Sequence, residues 1–235
     1  MSLAKLSCPI KKALHAKRER RKEARPGELL DAALDLFVEK GFAATRAEEV
    51  AARAGVSKGT LFLYFQSKEE LFKAVVRENI SGHIQELNAA FDTFEGSAKD
   101  MVVQCMQTWW QRVGATKSAG IDKLITSEAS NFPELASFYQ AEVIEPGQIL
   151  TRRILQKGID NGEFRPLDLD YAVFGIIAPM MFLIMTKNSP NAFCSDQIFL
   201  NPEKYIAMQI DMLLNGISTT PVTPYNLTPD QNQPA

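Results

Sequence analysis

Ser57, Lys58 and Thr60, with Gly59 between them, place a hydroxyl, an ammonium and a second hydroxyl within four residues. That is chemistry for holding an anion rather than for breaking a bond. Donors at the start of a helix, where the first amides lack partners, suit a phosphate group. Ser57 is a natural N-cap, and Gly59 keeps the surface low so that another backbone can approach. Behind them runs Leu61-Phe62-Leu63-Tyr64-Phe65. On a short helix Leu61 and Phe65 lie one turn apart and face inward, leaving Phe62, Leu63 and Tyr64 on the outer side. The alternative is that these aromatics complete a small core, and for Phe65 that reading stands. It leaves the Tyr64 hydroxyl and Lys68 without a purpose, and both suit a phosphate.

Other chemistry is thinly represented. Two histidines, His15 and His83, and three cysteines, Cys8, Cys105 and Cys194, are too few and too scattered for a metal site or a disulfide framework. No Gly-rich phosphate loop, nucleophile elbow or paired-histidine motif occurs, so neither an enzyme nor a bound cofactor is expected. Glu128, Glu134 and Glu142 read as a solvated helix face. A redox response through Cys105 or Cys194 is a second reading, set against the usual inertness of buried thiols.

The formal net charge of −2 hides an asymmetry. Residues 1–78 carry 16 Lys/Arg against 11 Asp/Glu, a net of +5, and residues 79–235 carry 10 against 17, a net of −7. Such a split directs one half at a polyanion. Residues 1–23 form a basic arm, expected to be flexible. No signal peptide opens the chain, and a cytoplasmic protein is expected. Residues 171–186 carry no charge, but the run is short for a membrane span and Pro179 interrupts it. It reads as a helix buried on most faces, with no membrane partner.

These residues need elements to position them. Pro26 suits a first helical position, followed by Leu30, Ala33, Leu34, Phe37 and Val38 at helical spacing until Gly41. Thr45 to Glu48 has the form of a capping box, as does Ser67 to Glu70. Gly55 supplies a left-handed turn, and a long helix is expected over residues 67–94. Beyond it, Val102, Met106, Trp109 and Val113 form one stripe, and residues 121–130, 133–158, 167–187 and 202–215 are further helix candidates, with Pro146 a potential break. No alternating strand is found, so the fold class is all-α. The Pro-rich, polar segment 218–235 reads as a disordered tail.

The segment GFAATRAEEVAARAGVSKGTLFLYFQSKEELFKAVV, residues 41–76, resembles the DNA-binding head of the TetR family of bacterial transcriptional regulators. With residues 26–40 the likeness covers about residues 24–84, with a helix-turn-helix at about 47–66. Turn glycine, Ser-Lys-Gly-Thr, aromatic cluster and Ser-Lys-Glu-Glu cap all occur in register. The resemblance implies an N-terminal three-helix DNA-binding domain followed by a helical ligand-binding and dimerisation domain, here residues 85–217. It implies that Arg46, Ser57, Lys58, Thr60, Tyr64 and Lys68 meet the DNA backbone, while Gly59, Phe62 and Leu63 face the major groove. Two positions depart from the family. Phe62 stands where Tyr is common, losing a phosphate bond, and Leu63 can touch a thymine methyl but cannot read a base by hydrogen bonding. Specificity is therefore expected to lean on DNA shape and on the arm.

Residues 127–173 resemble a sensor domain of one branch of the family. For an apolar or aromatic effector the candidate lining is Met106, Trp109, Trp110, Phe132, Tyr139, Met180, Met181 and Phe182, although for any single one of them ordinary core is the better reading. Trp109 and Trp110 diverge by about 100° on a helix and cannot share one stripe. The family further implies a homodimer formed by the last two long helices. The function so implied is a repressor that binds an inverted-repeat operator and is released by a small molecule, with activation as the alternative sign.

Overall fold

The computed structural model describes residues 9–188 and 201–219, with side chains from residue 25 onward. Residues 1–8 and the side chains of 9–24, which hold the expected arm, lie outside the described residues, as do Cys194 and residues 220–235 of the expected tail. Among the described residues every named element is helical. The chain divides into two compact units, Met1–Val75 and Val76–Ala235.

The first unit begins with α1 (Pro9–Ala44), which carries Pro26 inside it rather than in its first turn. A proline there leaves one carbonyl of the preceding turn without its helical partner. The helix is broken where the sequence places its stop, at Gly41, whose φ of 83° favours glycine. Leu29, Ala33, Phe37 and Phe42 are buried, whereas Val38 is exposed. α2 (Ala47–Arg53) and α3 (Lys58–Tyr64) enclose the turn. Gly55, at φ 67°, lets Val56 N–H reach the Ala51 carbonyl at 2.9 Å and its own N–H reach Ala52 at 3.1 Å. That pair of bonds is a Schellman ending. α4 (Lys68–Val76) follows, its Glu70 amide capped by Ser67 Oγ at 3.1 Å. Phe37, Phe42 and Phe72 form a triangle with ring centres 5.4–5.6 Å apart.

One predicted cap moves by a residue. Thr45 is buried, and its hydroxyl donates to the carbonyls of Leu36 and Gly41 at 3.2 and 2.7 Å. The N-cap of α2 is Arg46 instead, whose amide donates to Glu49 Oε2 at 3.1 Å. The broken end of α1 leaves carbonyls without partners, and satisfying them takes precedence over a local cap.

In the second unit the expected helix over 67–94 is interrupted by a π turn at Arg77–Ser81, after which α5 (Gly82–Thr93) continues. α6 (Ala98–Trp109) is capped twice, by Ser97 at 3.1 Å on the Asp100 amide and by Glu163, which accepts from Ala98 and Lys99. α7 (Gly120–Glu128) and α8 (Pro133–Tyr139) lead into a π turn at Gln140–Ile144. α9 (Glu145–Asp160) then starts with Pro146 in its first turn, where the missing N–H costs nothing. α10 (Leu169–Asn188) and α11 (Pro202–Ile217) complete the unit. Their inner faces, with α6 and α9, build a core containing Val102, Met106, Leu155, Phe164, Ile176 and Ile210. Among the described residues only α10 is long and apolar enough to cross a membrane. Its Val173, Ile176, Met180, Leu183 and Ile184 are buried in that core.

Candidate nucleic-acid interface and effector cavity

In the first unit, the buried Leu61 and Ala51 hold α3 against α2 and leave the other side of α3 outward. Leu63 is 83% exposed and Phe62 39% exposed. Ser57, Lys58 and Gly59 are exposed, Thr60 and Tyr64 are partly buried, and Arg46 is exposed at the head of α2. Phe65 is only partly buried. Ser57 acts as the expected N-cap, accepting from the Thr60 amide at 3.2 Å and sharing a bond with its hydroxyl at 2.9 Å.

Gly59 has no internal reason to be glycine. A Cβ there would meet only Ser57 Oγ at 3.8 Å, an ordinary contact. The residue costs the helix about 1 kcal/mol relative to alanine without relieving any clash in the chain, which fits a surface kept low for a partner.

The two lysines differ. Lys58 is exposed, its ammonium paired with Glu48 and 5.7 Å from the Phe62 ring centre. That pairing holds the Glu48 carboxyl below its usual range. An exposed pair of this kind is readily exchanged for a phosphate. Lys68 is placed otherwise than the sequence suggests. Its ammonium donates to the carbonyls of Phe42, Thr45 and Ala43 at 2.8, 3.1 and 3.3 Å, and lies 4.3 Å from the Phe42 ring centre. Three donors on three carbonyls employ the whole ammonium. Its charge thus serves the end of α1.

The second unit contains a partly open cavity of about 110 Å³. Met106, Trp109, Tyr139, Met180 and Met181 line it, as the sequence suggests. The other three candidates lie elsewhere. Trp110 is buried under Lys187, 5.7 Å from the ammonium, because the step from Trp109 turns it away. Phe182 is exposed and packs on Tyr205 with ring centres 6.2 Å apart. Phe132 is the N-cap of α8. The wall also includes Leu87, Cys105, Asp122, Val143 and Thr151. The π turn at Gln140–Ile144 lies between Tyr139 and Gly147 in this wall and sets which side chains it turns inward.

Asp122 was not legible in the sequence. It is 6% exposed, and the Tyr139 hydroxyl donates to its Oδ1. Its Oδ2 is buried and has no hydrogen-bond partner. Burial pushes the carboxyl from its ordinary 3.8 up to about 6, with the Tyr139 bond opposing. Burial, reinforced by the carboxylate, raises the Tyr139 hydroxyl well above its usual range. Burial also pushes the Cys105 thiol up to about 11, which leaves little reactive thiolate at neutral pH. Among the described residues no cluster of His, Cys, Asp and Glu could hold a metal ion.

The family model described as bacterial regulatory proteins, tetR family, matches residues 29–75. The HTH-type transcriptional regulator YfiR of Bacillus subtilis is 29% identical over 164 residues, which are 62% of this chain and 71% of YfiR. SmeT, the repressor of the Stenotrophomonas maltophilia multidrug efflux pump SmeDEF, superposes with a TM-score of 0.67 at 20% identity, covering 86% of this chain and 94% of SmeT. FadR from Bacillus subtilis, solved with stearoyl-CoA, superposes with a TM-score of 0.61 at 19% identity, covering 81% of this chain and 98% of FadR. At such identities the structural likeness speaks for the fold.

Gly59→Ala should leave thermal stability unchanged or raise it by up to about 1 kcal/mol, while operator affinity in a gel-shift titration falls about tenfold. Lys58→Ala should flatten the plot of log affinity against log salt by about 0.9 per head. Lys68→Ala should instead lower stability by about 1–3 kcal/mol and change that slope little. For Asp122, the fold keeps a proton that the unfolded chain has lost between about pH 4 and pH 6. Stability from this group is therefore full below about pH 4 and falls as pH rises to about 6, by on the order of 3 kcal/mol. Melting curves of Asp122→Asn should lack that decline.

Proposed function

Since the chain belongs to the TetR family of bacterial transcriptional regulators, which bind DNA and are not enzymes, we propose that it is a cytoplasmic, dimeric repressor released from its operator by a small molecule. The observation that carries this reading is the pairing, in one chain, of the exposed α3 surface with a largely apolar cavity in the second unit. An operator-bound population and an effector-bound population differ in the separation of the two recognition helices. Coupling of about 1–3 kcal/mol suffices for a 5- to 150-fold change in affinity.

In this reading Ser57, Lys58, Thr60, Tyr64 and Arg46 hold phosphates, and Gly59, Phe62 and Leu63 lie in the major groove. Leu63 offers only an apolar surface, suited to a thymine methyl.

A dimer is supported by the outer faces of α10 and α11. Along α10 Tyr171 and Phe174 lie three residues apart, Phe182 follows eight residues on and Met185 three beyond that, while Met208 and Met212 lie four apart along α11, all exposed. A contiguous apolar stripe on two long helices is expensive to leave in water. Joined to its symmetry mate it makes a four-helix bundle.

Selection of duplexes from a random library should return an inverted repeat with half-sites about 34–36 Å apart. Unpatterned DNA would sink the sequence-reading role. Phe174→Glu combined with Met208→Glu should convert the dimer to a monomer by light scattering. Losing the second half-site should cut operator affinity roughly 10²-fold or more.

A further inference from the structure

An apolar effector alone leaves the Asp122 carboxyl without a purpose. Taking the cavity to be the effector site, we propose that the effector is a small lipophilic cation, an apolar body with one protonated amine whose N–H donates to Oδ2 of Asp122. Asp122 sits in the first turn of α7, where the helix dipole favours a negative charge. Tyr139 occupies Oδ1, and Asp122 is among the residues lining the cavity with its Oδ2 buried and without a partner. Buried charges are normally paired. Among the described residues lining the cavity there is no Lys, Arg or His, and none of them supplies a counter-charge.

The three guest chemistries can be ranked from this. An anionic guest with its carboxylate in the cavity sets a second negative charge against Asp122 and finds no base to hold it. A neutral guest offers Oδ2 at most an uncharged donor such as a hydroxyl. An ammonium forms a charge-assisted bond, stronger than a neutral one, and the faces of Trp109 and Tyr139 add attraction for a cation. The carboxyl, although pushed up to about 6, is ionised at neutral pH. The apolar body meets Met106, Met180 and Met181, which are unbranched and adapt to varied shapes. A volume of about 110 Å³ suits a single ring or a short chain, since a cavity of about 150 Å³ takes benzene.

The test is calorimetric titration of the full-length protein at neutral pH with benzylamine, benzyl alcohol and benzoate, which share a ring and differ in charge. Benzylamine should bind about 10- to 100-fold more tightly than benzyl alcohol, and benzoate more weakly than either. Asp122→Asn, checked for folding by circular dichroism, should abolish the advantage of the amine and leave the alcohol unaffected. Equal or tighter binding of benzyl alcohol or benzoate overturns the cation assignment and leaves the cavity as an effector site. The same holds if the amine keeps its advantage in Asp122→Asn. Should none of the three bind, both the cation assignment and the effector reading fall. If the variant does not fold, the charge series on the native chain decides the matter alone.

Discussion

The end of α1 is the constraint around which the first unit is arranged. A helix end leaves carbonyls without partners, and burying them unpaired is costly. Gly41 breaks the helix, and two side chains from later in the chain answer for the exposed oxygens. Thr45 serves Leu36 and Gly41, and Lys68 serves Phe42, Ala43 and Thr45. Because Lys68 stands at the head of α4, this ties the start of α4 to the end of α1 by polar bonds. The ring triangle of Phe37, Phe42 and Phe72 does the same by packing. With α1 and α4 so joined, α2 and the short α3 need only Ala51, Leu61 and the Gly55 ending to fix the angle between them.

The second unit faces a different constraint, since its wall is apolar and one acid is built into it. Asp122 is held by Tyr139 on one oxygen only, and a half-satisfied buried acid lowers stability. Such a cost is tolerated where function needs the group, which is why perturbed acids gather at functional sites. The remainder of the wall is largely apolar, so Asp122 is its one ionisable carboxylate among the described lining residues. Cys105 shares the wall, but its burial makes it a poor redox sensor.

Much of the first unit was legible because its signals are local. Gly55, Ser57 and the Ser67 cap each act within a turn of their own position, and each does what its residue type prescribes. Where a distant group intervened, the local reading slipped. Thr45 has the form of an N-cap, yet carbonyls of α1 claim its hydroxyl and the cap passes to Arg46. Lys68 has the form of a free cation at a helix start, yet three carbonyls more than twenty residues earlier take its protons.

The sequence by itself determined the all-helical class, the break at Gly41, the turn at Gly55, the caps at Ser57 and Ser67 and the face of α3 that points outward. It did so because helix periodicity and capping are properties of neighbouring residues. Only the tertiary structure decided where the cavity lies. Periodicity puts Met106 and Trp109 on one stripe and turns Trp110 away from it, but a residue lines a void only if no other helix fills the space before it. Trp110 met Lys187, and Trp109 met the cavity. Nothing in the sequence around Asp122 marks it as buried. Its burial depends on α8 bringing Tyr139 over it from seventeen residues away, and no local pattern records that approach.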